Sequence, residues 1–305
     1  MLVLFEKMAM LLVLLAFGYY FARRGVVGPE FTKGLSKLVI NFFLVGMILS
    51  SVINKDVNMT GREVASGMLL MILVLAISLG VGLLAPKLLG IKDGDKGMYS
   101  MLVAFMNNGF VGFPVVAAVY GEEAVFFASL SNIPFNILLY TVGVALLQSE
   151  PGKRKLRLKN AINAPVIATL IAVIIFAFDI KMPVFIDDIV DTVGAATVPL
   201  SMMCVGLSLG SVSLKEAVMQ PRMYGLGLLR LVVCPLLTWF ILHFFVTNPV
   251  ILGTVVLLSA TPSAVVCSIL GIEYGRDGVE SSEGVFISTM LSMITMPLLI
   301  SLLGL

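Results

Sequence analysis

Ten apolar segments, each of about 20 residues, follow one another along the chain and are separated by short polar connections. A helix of about 20 apolar residues spans the hydrocarbon core of a bilayer. We therefore predict ten transmembrane helices, called spans 1 to 10: Leu2–Phe21, Leu35–Ile53, Val64–Leu84, Met98–Val119, Val125–Leu147, Ile162–Phe178, Ile189–Val212, Tyr224–Val246, Pro249–Ile272 and Gly284–Leu305.

Spans 4 and 9 contain helix-weakening residues at the depth of the bilayer centre. Span 4 carries MNNGFVGFP (residues 106–114) and span 9 carries ATPSAVVCS (residues 260–268), so Gly109, Pro114 and Pro262 are the predicted helix breaks. Irregular backbone at this depth is tolerated only where it is packed inside protein or lines a cavity. Paired interruptions in corresponding places of two halves indicate the substrate site of a transporter.

Lysine and arginine are distributed unevenly between the two sides of these spans. The odd-numbered connections and the span ends beside them, including Arg230 just inside span 8, hold all but four of the 20 residues of these two types, and the exceptions are Lys7, Lys55, Arg62 and Lys181. Because cationic connections remain in the cytoplasm, we predict a multi-pass protein of the cytoplasmic membrane with both termini outside.

Composition agrees with a membrane protein and excludes several other classes. The chain is 59% hydrophobic and 12% charged, and its mean hydropathy is +1.07. No basic face with interleaved aromatic residues is present, so nucleic acid is not an expected partner. Cys204, Cys234 and Cys267 lie in apolar stretches without CxxC spacing, which predicts buried core residues and neither disulfides nor metal ligands.

The most basic connection, residues 149–160, divides the chain into two sets of five spans, residues 1–150 and 151–305. With an odd number of spans in each set, the second set must enter the membrane in the opposite orientation. Two short similarities fit this division: LVGMILSSV with CVGLSLGSV in spans 2 and 7, and VYGEE with EYGRD after spans 4 and 9. We predict an all-α membrane fold made of a five-plus-five inverted repeat.

Several motifs resemble the auxin efflux carrier family, which includes plant PIN exporters and bacterial malate or malonate permease-like members. They are PSAVVCSILGIEYG (residues 262–275), NNGFVGFP (residues 107–114) and VPLSMMCVGLSLG (residues 198–210), and the resemblance covers the whole chain. It implies a ten-helix inverted repeat with a scaffold domain of spans 1, 2, 6 and 7 and a transport domain of spans 3–5 and 8–10. Broken helices 4 and 9 are expected to cross near the substrate, much as in bile acid symporters. Two departures are Met106, where the family often has proline, and Gly46, where proline is common in span 2.

The predicted substrate site is the crossing of spans 4 and 9. Helix ends that meet inside the membrane expose N–H groups with roughly half a positive charge per helix, which attract a carboxylate without a buried cation. Asn107 and Asn108 offer amides, Thr261 and Ser263 offer hydroxyls beside Pro262, and the resemblance implies that Asn107 and Ser263 contact substrate. The alternative is that these groups only cap the broken helices or join neighbouring helices.

Residues outside the crossing receive simpler interpretations. Asn41 and Ser201, related by the repeat in spans 2 and 7, line the scaffold side of the cavity or form interhelical hydrogen bonds. Arg230, inside span 8, is expected to extend its side chain to the cytoplasmic surface and not to bind substrate. Glu280 and Glu283, at the inner end of span 10, are expected to be in water, which leaves no fixed charge at the crossing.

These observations favour a secondary transporter that moves a small organic carboxylate by alternating access. No catalytic set such as paired aspartates or HExxH lies at membrane depth, so an enzyme is not predicted, and no cofactor or metal is expected. A channel and a sodium- or proton-coupled symporter of the bile acid type stay open as alternatives. The substrate is left as malate-like, malonate-like or an aromatic carboxylate. A homodimer is also left open.

Overall fold

A computed structural model describes residues 2–54, 61–91, 96–148, 162–210, 219–274, 276 and 278–304. Within these residues the chain is helical, and its one isolated β-bridge joins Met106 to Ser263. The α-helices are α1 (Leu2–Arg23), α2 (Pro29–Leu38), α3 (Leu44–Ser50), α4 (Gly61–Leu88), α5 (Lys96–Ala104), α6 (Phe113–Tyr120), α7 (Glu122–Ser129), α8 (Asn132–Leu138), α9 (Val144–Leu147), α10 (Ala164–Phe178), α11 (Val184–Ala195), α12 (Thr197–Gly210), α13 (Pro221–Leu228), α14 (Cys234–Leu242), α15 (Pro249–Ser259), α16 (Val265–Glu273) and α17 (Gly278–Leu303).

Among the described residues, three π-helical turns join consecutive α-helices into longer rods, namely Val39–Phe43, Leu139–Gly143 and Leu229–Val233, and a fourth, Asn108–Gly112, leads into α6. In the part of the chain that the structure describes, six helical rods are long and apolar enough to cross a membrane: Pro29–Ser50, Gly61–Leu88, Ala124–Leu147, Val184–Gly210, Pro221–Leu242 and Glu280–Leu303. Shorter apolar helices occupy the predicted spans 1, 4, 6 and 9. The prediction of an all-helical membrane protein is confirmed for the described part of the chain.

The chain forms two compact units. Unit 1 comprises Met1–Leu69, Gly109–Ile133 and Ile162–Ser211, and unit 2 comprises Leu70–Asn108, Pro134–Ala161 and Val212–Leu305. The interruption in span 9 lies wholly in unit 2, together with the first half of span 4.

Unit 1 is assembled by close contact between helix backbones. Helix α1 packs along α12, and a Cβ added at Gly206 would lie 2.0 Å from the Leu15 carbonyl oxygen. Only glycine permits this approach, which is how small residues join helices in membranes. Helix α3 packs against α11 in the same way, because a Cβ at Gly46 would lie 2.6 Å from the Val193 side chain. Glycine at position 46, instead of the family's frequent proline, therefore has a packing reason.

Unit 2 surrounds α5. Helix α17 packs against α5, α13 and α16, while α9 lies along α5. The α5–α9 contact again requires glycine, because a Cβ at Gly97 would lie 1.8 Å from the Leu146 carbonyl oxygen. The largest buried side chains of this unit include Tyr99, Phe105 and Phe286 and, among these apolar groups, the charged Arg230.

Candidate functional site

Span 9 is interrupted between α15 and α16. Helix α15 ends at Ser259 and α16 begins at Val265, and the intervening residues 260–264 are all buried. Pro262 lies in the middle of this link, where its missing N–H prevents continuation of the helical hydrogen bonds. The Thr261 hydroxyl donates to the Leu258 carbonyl at 2.8 Å, and so caps the last turn of α15.

Span 4 is interrupted between α5 and α6. Helix α5 ends at Ala104, residues 105–107 are not helical, and the π-helical turn Asn108–Gly112 leads into α6. Gly109 belongs to that turn. Pro114 occupies the first turn of α6, where a proline disrupts no helical hydrogen bond. The non-helical backbone therefore precedes both residues that were predicted to break this span.

The two interruptions are joined by backbone hydrogen bonds. The Asn107 N–H donates to the Pro262 carbonyl at 2.8 Å, and the Ala264 N–H donates to the Phe105 carbonyl at 2.9 Å. These bonds flank Met106 and Ser263, which face each other as an antiparallel pair. A two-residue strand pairing thus connects the breaks inside unit 2.

Ser263 extends this connection through its side chain and its backbone. Its hydroxyl donates to the Leu102 carbonyl in α5 at 2.7 Å, and its N–H donates to the Ser288 hydroxyl of α17 at 3.1 Å. The Ser263 hydroxyl therefore caps the last turn of α5. Asn107 and Asn108 are each 4% exposed, so their amides are buried at the same place.

Arg230 is fully buried at the interruptions, and the expectation that it reaches the cytoplasmic surface is wrong. Its Nε donates to the Thr261 carbonyl at 2.9 Å, and its Nη1 donates to the Val103 carbonyl at 3.0 Å and the Ser78 hydroxyl at 3.4 Å. Its Nη2 donates to the Ser259 carbonyl. The crossing therefore contains a fixed cation, contrary to the expectation of no charge there.

The physical reason for this burial is depth combined with free carbonyl groups. The helix that carries Arg230 begins at Pro221 and not near Tyr224, so Arg230 lies about 14 Å from the start of the helix along its axis. That length is close to half the hydrocarbon thickness. At this depth the backbone carbonyls of the broken helices are the nearest polar partners.

The expectation that Glu283 is in water is also wrong, since its side chain is only 4% exposed in α17. Glu280, one turn earlier, accepts a hydrogen bond from the Tyr99 hydroxyl at 2.6 Å. The start of α17, which carries both glutamates, is covered because α17 packs on α5 and α16. This contact between distant segments cannot be predicted from the local sequence.

The remaining predicted residues lie in unit 1. Asn41 is exposed, and its amide donates to the Lys37 carbonyl of its own helix at 2.8 Å. Ser201 is fully buried in α12, and its hydroxyl donates to the Thr197 carbonyl. Unit 2 therefore brings Asn107, Asn108, Thr261, Pro262 and Ser263 together, and Asn41 and Ser201 belong to the other unit.

No group of three or more metal-ligating side chains occurs among the described residues. Cys204, Cys234 and Cys267 are buried free thiols, which confirms their predicted role as core residues. Sequence reasoning missed Met106, Ser259, Ser288 and Arg230. Only Arg230 had a usable signal, namely Pro221 as a helix-starting residue more than two turns before it.

Comparison with known proteins agrees with this architecture. The sequence profile of a family described as "Membrane transport protein" matches residues 3–158 and 153–300. The chain is 27% identical over 293 residues to an uncharacterized transporter of Methanothermobacter thermautotrophicus, with 96% of each chain covered. It is also 27% identical over 308 residues to an uncharacterized transporter of Methanocaldococcus jannaschii, again with 96% of each covered.

A more distant relative is the uncharacterized transporter YfdV of Escherichia coli, which is 21% identical over 210 residues, 66% of this chain and 67% of its own. The helical rods and the family match define a multi-pass membrane protein. The chain belongs to the membrane transport protein family, which is the auxin efflux carrier family that its motifs resemble.

Proposed function

We propose that this protein is a secondary transporter that moves a small organic carboxylate across the cytoplasmic membrane by alternating access. The observation that carries the proposal is the pairing of two interrupted apolar helices at Met106 and Ser263. Transporters bind substrate at discontinuous helices, where backbone groups and helix ends are available to a ligand.

The charges around the interruptions support an anionic substrate. Helix α16 begins at Val265, directly after the paired residues, so the positive end of its dipole is at the crossing. The negative ends of α5 and α15 are offset by Arg230, which donates to carbonyls of both segments. The remaining field is positive and suits a carboxylate. Because the chain belongs to a family of membrane transport proteins, we propose a transporter and not an enzyme.

The proposed contacts are the Asn107 and Asn108 amides, with Thr261, Pro262 and Ser263 forming the span 9 side. For Asn41 and Ser201 the two roles given above stay open, because the hydrogen bond of each runs within its own helix and selects neither role. Malate-like, malonate-like and aromatic carboxylates all carry the anionic group that the site requires. The protein acts in the lipid bilayer, either as a monomer or as a homodimer.

The proposed topology is a five-plus-five inverted repeat with residues 1–150 and 151–305 as its halves. Spans 1, 2, 6 and 7 form the scaffold, and spans 3–5 and 8–10 form the transport domain. Both termini face outward, as the distribution of lysine and arginine indicates. External labelling of single cysteines should modify a residue near Lys181 and spare one near Lys155; the reverse pattern contradicts this orientation.

Function is tested by thermal-shift measurements on the purified protein with a panel of mono- and dicarboxylates, followed by flux of the best ligand in proteoliposomes. We expect stabilisation by a carboxylate and none by its amide or alcohol analogue. Flux of the anion should also respond to an imposed membrane potential without sodium or a pH gradient, because a moving charge experiences roughly 2.3 kcal/mol per 100 mV. Equal stabilisation by anion and amide contradicts the proposal.

Glu283 favours a second candidate, a sodium- or proton-coupled organic anion symporter of the bile acid type. Coupled transporters commonly have an acidic side chain buried in a transmembrane helix, and Glu283 is buried inside a candidate membrane span. An absolute requirement of flux for sodium or for a proton gradient selects this candidate over the uncoupled one.

A further inference from the structure

Two helix ends in unit 2 present backbone carbonyls that have no partner within their own helix. The last four carbonyls of any α-helix lack an intrahelical donor. At the end of α5 the Phe105 N–H still donates to the Met101 carbonyl, which leaves the carbonyls of residues 102–104, and at the end of α15 the N–H groups of residues 260 and 261 serve residues 256–258, which leaves the Ser259 carbonyl. In a bilayer each such group must find another donor, because no water reaches it there.

One side chain serves both ends. Arg230 donates to Val103 in the last turn of α5, to Ser259 at the end of α15, and to Thr261 in the link that follows. The guanidinium is a planar fork with five N–H groups in fixed directions, so it can hold several acceptors at set positions. Its positive charge also lies at two negative helix ends.

We propose that Arg230 is the positioning residue of the crossing, in that its guanidinium fixes the spacing between the ends of α5 and α15 and so holds Met106 opposite Ser263. It acts through backbone and does not contact substrate. Four oxygen acceptors occupy four of its five N–H groups, and its side chain is 0% exposed.

The location of Arg230 in its helix fits this role. It stands in the π-helical turn Leu229–Val233, between α13 and α14. Such turns change the direction of a side chain relative to the regular helix and are frequent at functional sites. A lysine keeps the charge, but its compact ammonium has three donors and no planar fork.

The experiment measures the spacing directly by disulfide formation. Met106 and Ser263 are an antiparallel pair flanked by hydrogen bonds, and the Cα atoms of such a pair are about 4.5 Å apart, which is within the disulfide range. Met106→Cys and Ser263→Cys are combined in a background in which the native cysteines, Cys204, Cys234 and Cys267, are alanine. Oxidation by copper phenanthroline is followed in native membranes.

A second cysteine pair reports general loss of structure. The Ser268 and Ser281 hydroxyl oxygens, in α16 and α17 of the same unit, are 3.2 Å apart. Ser268→Cys with Ser281→Cys should therefore also form a disulfide, without involving the crossing. The matched arginine control is Arg222→Gln, because Arg222 is exposed in the first turn of α13.

We expect Arg230→Gln to slow the 106–263 disulfide by about tenfold, while the 268–281 disulfide forms at an unchanged rate. Arg230→Lys should be intermediate, and Arg222→Gln should match the parent. Unchanged rates at both pairs in Arg230→Gln overturn the proposal. If Arg230→Gln loses both disulfides, Arg230→Lys decides: selective slowing at 106–263 supports the proposal, and any other pattern overturns it. Because the disulfide assay uses no ligand, its outcome does not depend on whether the proposed transport function is correct.

Discussion

The interruptions in spans 4 and 9 satisfy their helix-end carbonyls in different ways. The span 9 segment contains its own donors, since the Ser259 hydroxyl donates to Val256 and the Thr261 hydroxyl donates to Leu258, both at 2.8 Å. The last turn of α5 reads Met-Leu-Val-Ala over residues 101–104 and has no side-chain donor.

Donors for the end of α5 come from other parts of unit 2. Ser263 of span 9 donates to Leu102, and Arg230 of span 8 donates to Val103. The span 4 interruption therefore depends on span 9 and span 8, whereas much of the span 9 capping is local. Two interruptions that look equivalent in the sequence are unequal in what stabilises them.

The largest expected effect is that of Arg230→Gln on stability. Removal of the guanidinium leaves buried carbonyls at both interruptions without their donor, and each such group costs roughly 1–3 kcal/mol. We expect a loss of about 3 kcal/mol, or roughly 6–12 °C in the apparent melting temperature of the purified protein. Arg222→Gln, at an exposed position, should melt with the parent, and equal melting of the two variants contradicts the dependence of both interruptions on Arg230.

The next effect separates dependence between spans from capping within one helix. Ser263→Ala removes the donor to Leu102 of α5, whereas Ser292→Ala removes a hydroxyl that donates to Thr289 of its own helix. We expect Ser263→Ala to cost about 1–3 kcal/mol and Ser292→Ala to cost less. Thermal unfolding of the two variants measures this difference. A stable Ser263→Ala protein with weakened ligand affinity would assign the hydroxyl to substrate instead.

Asn107→Ala tests the ligand-binding side of the same pairing. The substitution keeps the backbone N–H that donates to Pro262, so the pairing should persist. Loss of one hydrogen bond to a charged ligand should weaken affinity by about 1–2 kcal/mol, or roughly 5- to 30-fold. Asn248→Ala, at an exposed amide that caps the start of α15, should leave affinity unchanged when both are measured by ligand titration. Equal affinity in Asn107→Ala and the parent would assign Asn107 to the helix break.

The hydrophobic pattern was sufficient to predict much of the fold. Runs of apolar residues give the helical segments, and Gly, Pro, Asn and Ser within spans 4 and 9 give the regions of the interruptions. These signals are local, because each depends on neighbouring residues in one helix. The exact start of the span 4 interruption, at Phe105, was not predicted, because the residues taken as its signal, Gly109 and Pro114, lie after it in helical segments.

The partners of Arg230 and the burial of Glu283 were not predictable in this way. Val103 and Arg230 are separated by 127 positions, and no local pattern reports which carbonyls lack a donor in three dimensions. A hydropathy average treats a single arginine or glutamate near a helix end as exposed. The packing of α17 on α5 and the convergence of two helix ends reverse that interpretation for both residues.

The smallest expected effect is that of Thr261→Val, which tests whether capping in span 9 is local. Valine matches the shape of threonine and removes only the hydroxyl that donates to Leu258, while the Thr261 carbonyl still accepts from Arg230. We expect a loss of about 0.5–1.5 kcal/mol and an unchanged Met106–Ser263 pairing in the disulfide assay. Thr289→Val is the matched control, because its hydroxyl donates to Val285 within an uninterrupted helix, where the regular helical N–H partner of that carbonyl remains, whereas the Leu258 carbonyl keeps only a 3.2 Å bond from the Thr261 N–H at the end of its helix. The control should therefore lose less stability in thermal unfolding. If Thr261→Val instead lost as much stability as Ser263→Ala, the two hydroxyl groups would contribute equally to stability. The proposed difference, in which span 9 is capped locally and span 4 is capped by residues of other spans, would then be wrong.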